Sequence, residues 1–347
     1  MKRSNAAKFA AAVAAGALAL TACDSAVEGE NGEDGDASEV RVGLAYDVGG
    51  RGDRSFNDSA HRGLERAAEE LGVEVTDLEP NDGEADSDKE ERLANMAKEG
   101  YDVVIGVGYA YQEPMEAVAP EYPDTNFAII DSEIDEDEFE NVTSLVFAEE
   151  EASFLAGAAA ALTTEEDHVG FVGGVETPLI NKFEAGFVTG VEHLDDDIEI
   201  DYLSQPPDMN GFSDPAQGRE AAQAQYDRGA DVIYHAAGAS GNGILQAAVD
   251  NDFTFIGVDS DQYENADEEQ QPYVLTSAIK EVDVSVFEMI DSVVEGEPQT
   301  GIQRFDLSDG GVDYTQTNEE AIEPIQDELD ELKQQIIDGE IEVPDQP

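Results

Sequence analysis

The chain has 347 residues, one cysteine, no tryptophan and a net charge of −65, from 82 acidic against 17 basic side chains. So acidic a chain excludes a nucleic-acid partner, which needs a basic footprint, and a single cysteine excludes an intramolecular disulfide. At molar salt the Debye length is about 3 Å and self-repulsion is screened, so the charge speaks of a salty environment rather than of a ligand.

Residues 1–23 read as a signal peptide. Lys2, Arg3 and Lys8 form a basic start, and Phe9 to Leu20 an alanine-rich apolar run too short for a comfortable membrane span. The run ends in Leu20-Thr21-Ala22-Cys23, which matches the lipobox of bacterial lipoproteins. Acylation of Cys23 with two or three chains would anchor the protein to the extracytoplasmic face of the cell membrane; the alternative is an ordinary secreted protein with an incidental cysteine. Residues 24–38, rich in Gly, Asp and Glu, form an acidic flexible tether.

From residue 39 the chain is too long for one compact core and suits two lobes. Val40, Val42 and Leu44 predict a buried strand. A loop with three glycines, two arginines and two aspartates follows over 47–55. A helix comes next, with Asn57 as its N-cap and Leu64, Ala67, Ala68 and Leu71 on one face. Strands are predicted at 73–78, 102–107, 126–131 and 142–147, with helices at 88–99 and through residue 119. A second series runs from the helix at 149–162 through strand 168–172, helix 179–194, strand 198–203, helix 214–227 and strand 231–235. A helix after Gly243 and strand 254–258 complete it. Strand 274–279 and helices at 282–294 and about 319–337 close the chain. Alternation of this kind predicts an α/β protein with two doubly wound parallel-sheet lobes joined by a hinge, matching the type I periplasmic-binding-protein fold. Residues 39–148 are assigned to lobe 1, with about 275–297 crossing back to it. Residues 149–274 are assigned to lobe 2, completed by about 302–347.

Signals for catalysis are weak. The four histidines lack zinc spacing, and there is no phosphate loop, dinucleotide fingerprint or G-x-S-x-G, so no enzyme, metal or cofactor is expected. The informative residues sit where strands end, the usual ligand crevice of open α/β sheets. Asp47, Phe56 and Asn57 combine a carboxylate, an aromatic face and a carboxamide suited to a flat polar ligand, the alternative for Phe56 being a plain core residue. Phe212, just before a helix of the second series, has the matching position, so one aromatic from each lobe is available to hold a ring. Asp259 ends an apolar strand, where a carboxylate either suits a ribose diol or is a helix-capping or surface acid. Lys280 ends another strand, either facing a ligand or forming a salt bridge that holds the last crossover. Gly238 and Gly241 either let the backbone approach a ligand or make a turn.

The stretch DVGGRGDRSFNDSAHRGL resembles the start of the Bmp/PnrA-like substrate-binding lipoproteins of ABC transporters. YPDTNFAIIDS (122–132), VFAEEEASFLAGAAAAL (146–162), VGFVGGVETPLINKFEAGFVTG (169–190) and VLTSAIKEVD (274–283) are similar to family blocks too. The resemblance implies a lipid-anchored receptor that hands a purine nucleoside to ABC permease and ATPase subunits. It implies that Asp47 and Asn57 meet the base edge and that Phe56 and Phe212 sandwich the base, while Asp259, Lys280 and the backbone near Gly238 hold the ribose. Two departures from the family pattern are Arg51 and Arg54 in the loop, and NGFS at 210–213 where a Phe-Asn is expected. Competing readings are a receptor of the same fold for a sugar or furanosyl signal, and a nucleoside-processing enzyme.

Overall fold

A computed structural model of the chain describes residues 40–81, 83–194, 197–204 and 208–347. The predicted signal peptide, Cys23 and the tether lie outside the described residues. The described residues form one compact unit.

The first lobe is laid down by β1 (Arg41–Ala45), α1 (Phe56–Glu70), β2 (Glu74–Leu78), α2 (Asp86–Lys98), β3 (Val103–Gly106), α3 (Gln112–Val118), β4 (Asn126–Ile130) and β5 (Val142–Phe147). The second consists of α4 (Glu149–Thr163), β6 (His168–Val175), α5 (Pro178–Glu192), β7 (Asp197–Ser204), α6 (Pro215–Arg228), β8 (Val232–Ala236), α7 (Gly241–Asn251), β9 (Thr254–Asp259), α8 (Gln262–Asn265) and β10 (Val274–Lys280). The chain then returns to the first lobe with α9 (Val282–Val294) and β11 (Gly301–Phe305), and ends on the second with β12 (Val312–Tyr314), α10 (Glu319–Ile322) and α11 (Gln326–Ile337).

The described residues form two six-stranded sheets, in the orders β11-β5-β4-β3-β1-β2 and β12-β10-β9-β8-β6-β7. Every pairing is parallel except that of the short β12 with β10. The inner strands β3 and β5 are buried throughout, β5 with two hydroxyl residues, Thr143 and Ser144, among its apolar ones, whereas the edge strand β2 exposes Glu74 and Asp77. The fold is thus two α/β lobes of the expected kind. Two boundaries need correcting. The segment expected to complete lobe 2 from about residue 302 begins with β11, which pairs with β5 in the first sheet, so only the chain after Phe305 returns to lobe 2. The expected return to lobe 1 from about residue 275 includes strand β10, but its residues pair with β9 in the second sheet, because its apolar face fills the place beside that strand. The crossing comes after Lys280, where α9, with Val282, Val286, Met289 and Ile290 buried, packs on α1 and sets Asp283 and Val286 against Gly63.

Local chemistry explains where the helices begin. Thr177 accepts from the Ile180 amide and Asp214 from the Gln217 amide, and a proline opens each helix. For α1 the expected N-cap is displaced. Asn57 lies inside the first turn, and the capping oxygens belong to Asp53, which accepts from the amides of Ser55 (3.0 Å), Asn57 (2.7 Å) and Asp58 (3.1 Å). In the second lobe α4 and α5 pack with almost no gap. A Cβ on Gly157 would meet the Phe187 carbonyl oxygen at 2.2 Å, and one on Gly190 the Phe154 oxygen at 2.1 Å.

Candidate functional site

The carboxyl ends of β1, β3 and β4 face those of β8, β9 and β10 across a cleft. The cleft is narrow in this structure, with a cavity of about 60 Å³ between the lobes. All seven residues singled out from the sequence line it: Asp47, Phe56 and Asn57 from the first lobe, and Phe212, Gly238, Asp259 and Lys280 from the second. Asp53, Tyr109, Asp131, Ile180 and Phe183 line it as well. Phe56 is the first residue of α1 and Phe212 lies in a short turn before α6. The Phe212 ring rests on Gly174, where a Cβ would strike it at 2.4 Å, so the missing side chain fixes the ring's seat. Gly238 has φ +51° and brings its backbone to the cavity wall. Gly241 has a different task, since its Cα packs on the His235 ring.

The first-lobe wall is a closed polar loop. Asn57 Oδ1 accepts from the Asp47 amide at 2.9 Å and its Nδ2 donates to Asp53 at 3.1 Å, which leaves one amide hydrogen free for other use. Asp47 Oδ1 accepts from the Val48 amide at 2.7 Å. Burial pushes the Asp47 carboxyl up to about 7 and that of Asp53 up to about 6. Arg51 and Arg54 turn away from the cavity. Arg51 faces Asp77 and Arg54 reaches Gln270 and Asp267, so neither lines the wall.

At the other end Lys280 is the one cation among the described lining residues, and it is 3% exposed. Its Nζ is 2.6 Å from Asp131 Oδ2, 3.7 Å from Asp259 Oδ1 and 3.9 Å from Glu149 Oε1. Burial alone would lower the ammonium's pKa, but the three carboxylates outweigh it and raise it. Burial pushes Glu149 up to about 7 and raises Asp131 too, against the pull of Lys280. Nζ also stands 4.7 Å from the centre of the Phe56 ring. The salt bridge and the cavity-facing position therefore coexist at Lys280. Among the residues that sequence reasoning missed, Asp131 carried the same signal as Asp259. Each ends an apolar strand and precedes a serine, and each has positive φ, +64° and +62°. Phe183 carried none, because its spacing on α5 is that of a core residue.

Residues 40–347 match the family model of the PnrA-like ABC transporter substrate-binding proteins, Bmp. The chain belongs to that family. It is a family of substrate-binding proteins and not of enzymes, which implies a small-molecule ligand and ABC permease partners. Among curated relatives, the ABC transporter nucleoside-binding protein BmpA of Lactococcus lactis is 34% identical, covering 88% of this chain and 90% of its own. The CD4+ T-cell-stimulating antigen of Listeria innocua is 32% identical over the whole of both chains. An uncharacterized lipoprotein of Pyrococcus furiosus is 34% identical, over 80% of this chain and 70% of its own. Among solved structures, an ABC transporter solute-binding protein from Aeropyrum pernix aligns with a TM-score of 0.74 at 31% identity, covering 88% of this chain and 94% of its own. A solute-binding protein from Conexibacter woesei, at 23% identity and TM-score 0.69 over 88% and 99%, shares the fold.

Proposed function

We propose that this Bmp-family protein is the lipid-anchored receptor of an ABC importer for a purine nucleoside. The observation that carries this reading is the cleft itself, with an aromatic ring from each lobe at its walls and a carboxylate and ammonium at its far end. Phe56 and Phe212 would stack on the two faces of the base. Asp47 and the free amide hydrogen of Asn57 would meet its edge, and Asp259 with Lys280 would take the ribose hydroxyls near the Gly238 backbone. The nucleoside-binding description of the Lactococcus relative supports the ligand class, and the lipoprotein description of the Pyrococcus relative supports an anchor at Cys23. Closure of the lobes about the crossing segments would trap the ligand for the permease.

The test is calorimetric titration in molar KCl with guanosine, adenosine, inosine, cytidine and ribose. Tight binding of purine nucleosides with ribose silent is expected. Silence from every nucleoside in folded protein overturns the ligand class, and a response to ribose alone moves the reading to a sugar receptor. For the anchor, Cys23→Ser is expected to shift the protein from the membrane fraction to the soluble one; unchanged fractionation refutes lipidation there.

A further inference from the structure

We propose that Ser55 and Ser260 form a clasp between the lobes that shares Asp259 with the ligand, so that the carboxylate reading the ribose also holds the cleft shut. The ligand's part in this rests on the nucleoside reading above; the clasp itself does not.

Ser55 is the last residue of the first-lobe loop before α1, and Ser260 follows β9 in the second lobe. The Ser55 hydroxyl donates to Asp259 Oδ2 at 2.6 Å. In return the Ser260 hydroxyl donates to the Ser55 carbonyl oxygen at 2.7 Å and accepts from the Arg62 guanidinium of α1 at 3.1 Å. The two serines are fully buried, so these bonds form away from competing water. Gln262 adds a weaker tie, donating to the Arg54 carbonyl at 3.4 Å while its Oε1 accepts from the Val258 amide.

A strained turn makes the reciprocal geometry possible. Neighbouring side chains of a strand point to opposite faces. Here Asp259 has φ +62°, and the Ser260 amide donates to the Val258 carbonyl at 2.7 Å, closing a three-residue γ-turn. The turn swings both the Asp259 carboxylate and the Ser260 hydroxyl toward Ser55. A non-glycine residue held at positive φ is costly and persists where surrounding contacts over-determine it. The partners from the opposite lobe supply that determination.

The carboxylate is divided between two tasks. Oδ2 takes the Ser55 hydroxyl, while Oδ1 stands 3.7 Å from Lys280 at the cavity. A carboxylate accepts at about four positions, so ligand hydroxyls and Ser55 can be held together. Each fixes the carboxylate in the orientation the other needs, and the coupling is reciprocal. Ser55 and Ser260 are positioning residues: they act on the ligand through Asp259.

The test compares intact wild-type protein with Ser55→Ala and Ser260→Ala, reading guanosine kinetics by stopped flow and lobe separation from spin labels at positions 98 and 220. Ser55→Ala is expected to speed guanosine dissociation about tenfold, the scale of one charge-assisted hydrogen bond, with the association rate little changed. It is also expected to lengthen the mean label distance. A folded Ser55→Ala protein with wild-type dissociation and wild-type distances overturns the clasp. Should Ser55→Ala fail to fold, Ser260→Ala decides between the same two outcomes, because it removes the return bond and leaves Asp259 its Ser55 partner. If wild-type protein binds none of the nucleosides of the calorimetric series, the nucleoside reading fails, and the label distances of the unliganded variants decide the clasp alone; if it binds another of them instead of guanosine, that one replaces guanosine in the kinetics.

Discussion

Phe56 opens α1 with its ring half-buried at the cleft wall, close enough to Lys280 for the ammonium to sit over it. Phe56→Ala is expected to weaken nucleoside binding by about 1–3 kcal/mol, the contribution of one stacked base; unchanged affinity in calorimetry would make Phe56 a core residue only. Asp47 supports a pH prediction. Its carboxyl sits at about 7 in the folded protein against 3.8 in the free side chain, so between those values the native state binds more protons than the unfolded chain. Stability from this group is therefore fully present below about pH 4 and lost as pH rises through 7. Asp47→Asn keeps the acceptor for the Val48 amide and removes the charge. It is expected to stabilise the protein at pH 8 on the order of 2–4 kcal/mol, with the gain vanishing near pH 4 in denaturant titrations. A constant gain at both pH values would place the effect elsewhere. Residues at strand ends were legible because a polar side chain after an apolar run has few other reasons to be there. Asp53 was not legible: an aspartate in a glycine-rich loop reads as solvated, and only the folded loop reveals three amides converging on it.

The α4–α5 pair is held by absent side chains. Backbone carbonyls of one helix touch glycines of the other at distances no Cβ tolerates, so Gly190→Val is expected to destabilise the second lobe by about 1–3 kcal/mol through overpacking. The check is a lower thermal midpoint, and an unchanged midpoint would mean that the helices slide apart freely. Most elements were readable because strands and helices alternate with distinct periods. Two were not. Strand β11 (GIQRF) leaves Ile302 43% exposed and β12 has three residues, so neither presents a hydrophobic period to read. The predicted terminal helix at 319–337 is in fact two, α10 and α11, with Pro324 in the gap between them. That break was written in the sequence, but the apolar spacing on either side masked it.

A net charge of −65 on one chain makes salt a structural variable. The thermal midpoint is expected to climb steeply as KCl rises from 0.1 to about 2 M, as screening removes self-repulsion; a flat curve would show that the acids are neutralised locally instead. The two lobes were legible as repeated strand–helix series, whereas the ownership of the last third of the chain was not, because pairing partners lie far apart in sequence. That arrangement has a consequence for how the protein is made. β5 is flanked by β4 on one side and by β11 on the other, so during synthesis the first lobe waits with an open strand edge until residues 301–305 emerge. An unpaired apolar edge invites association with neighbouring chains. The nascent protein therefore carries that edge through the making of the whole second lobe, and a chain cut before Gly301 is left with it permanently uncovered.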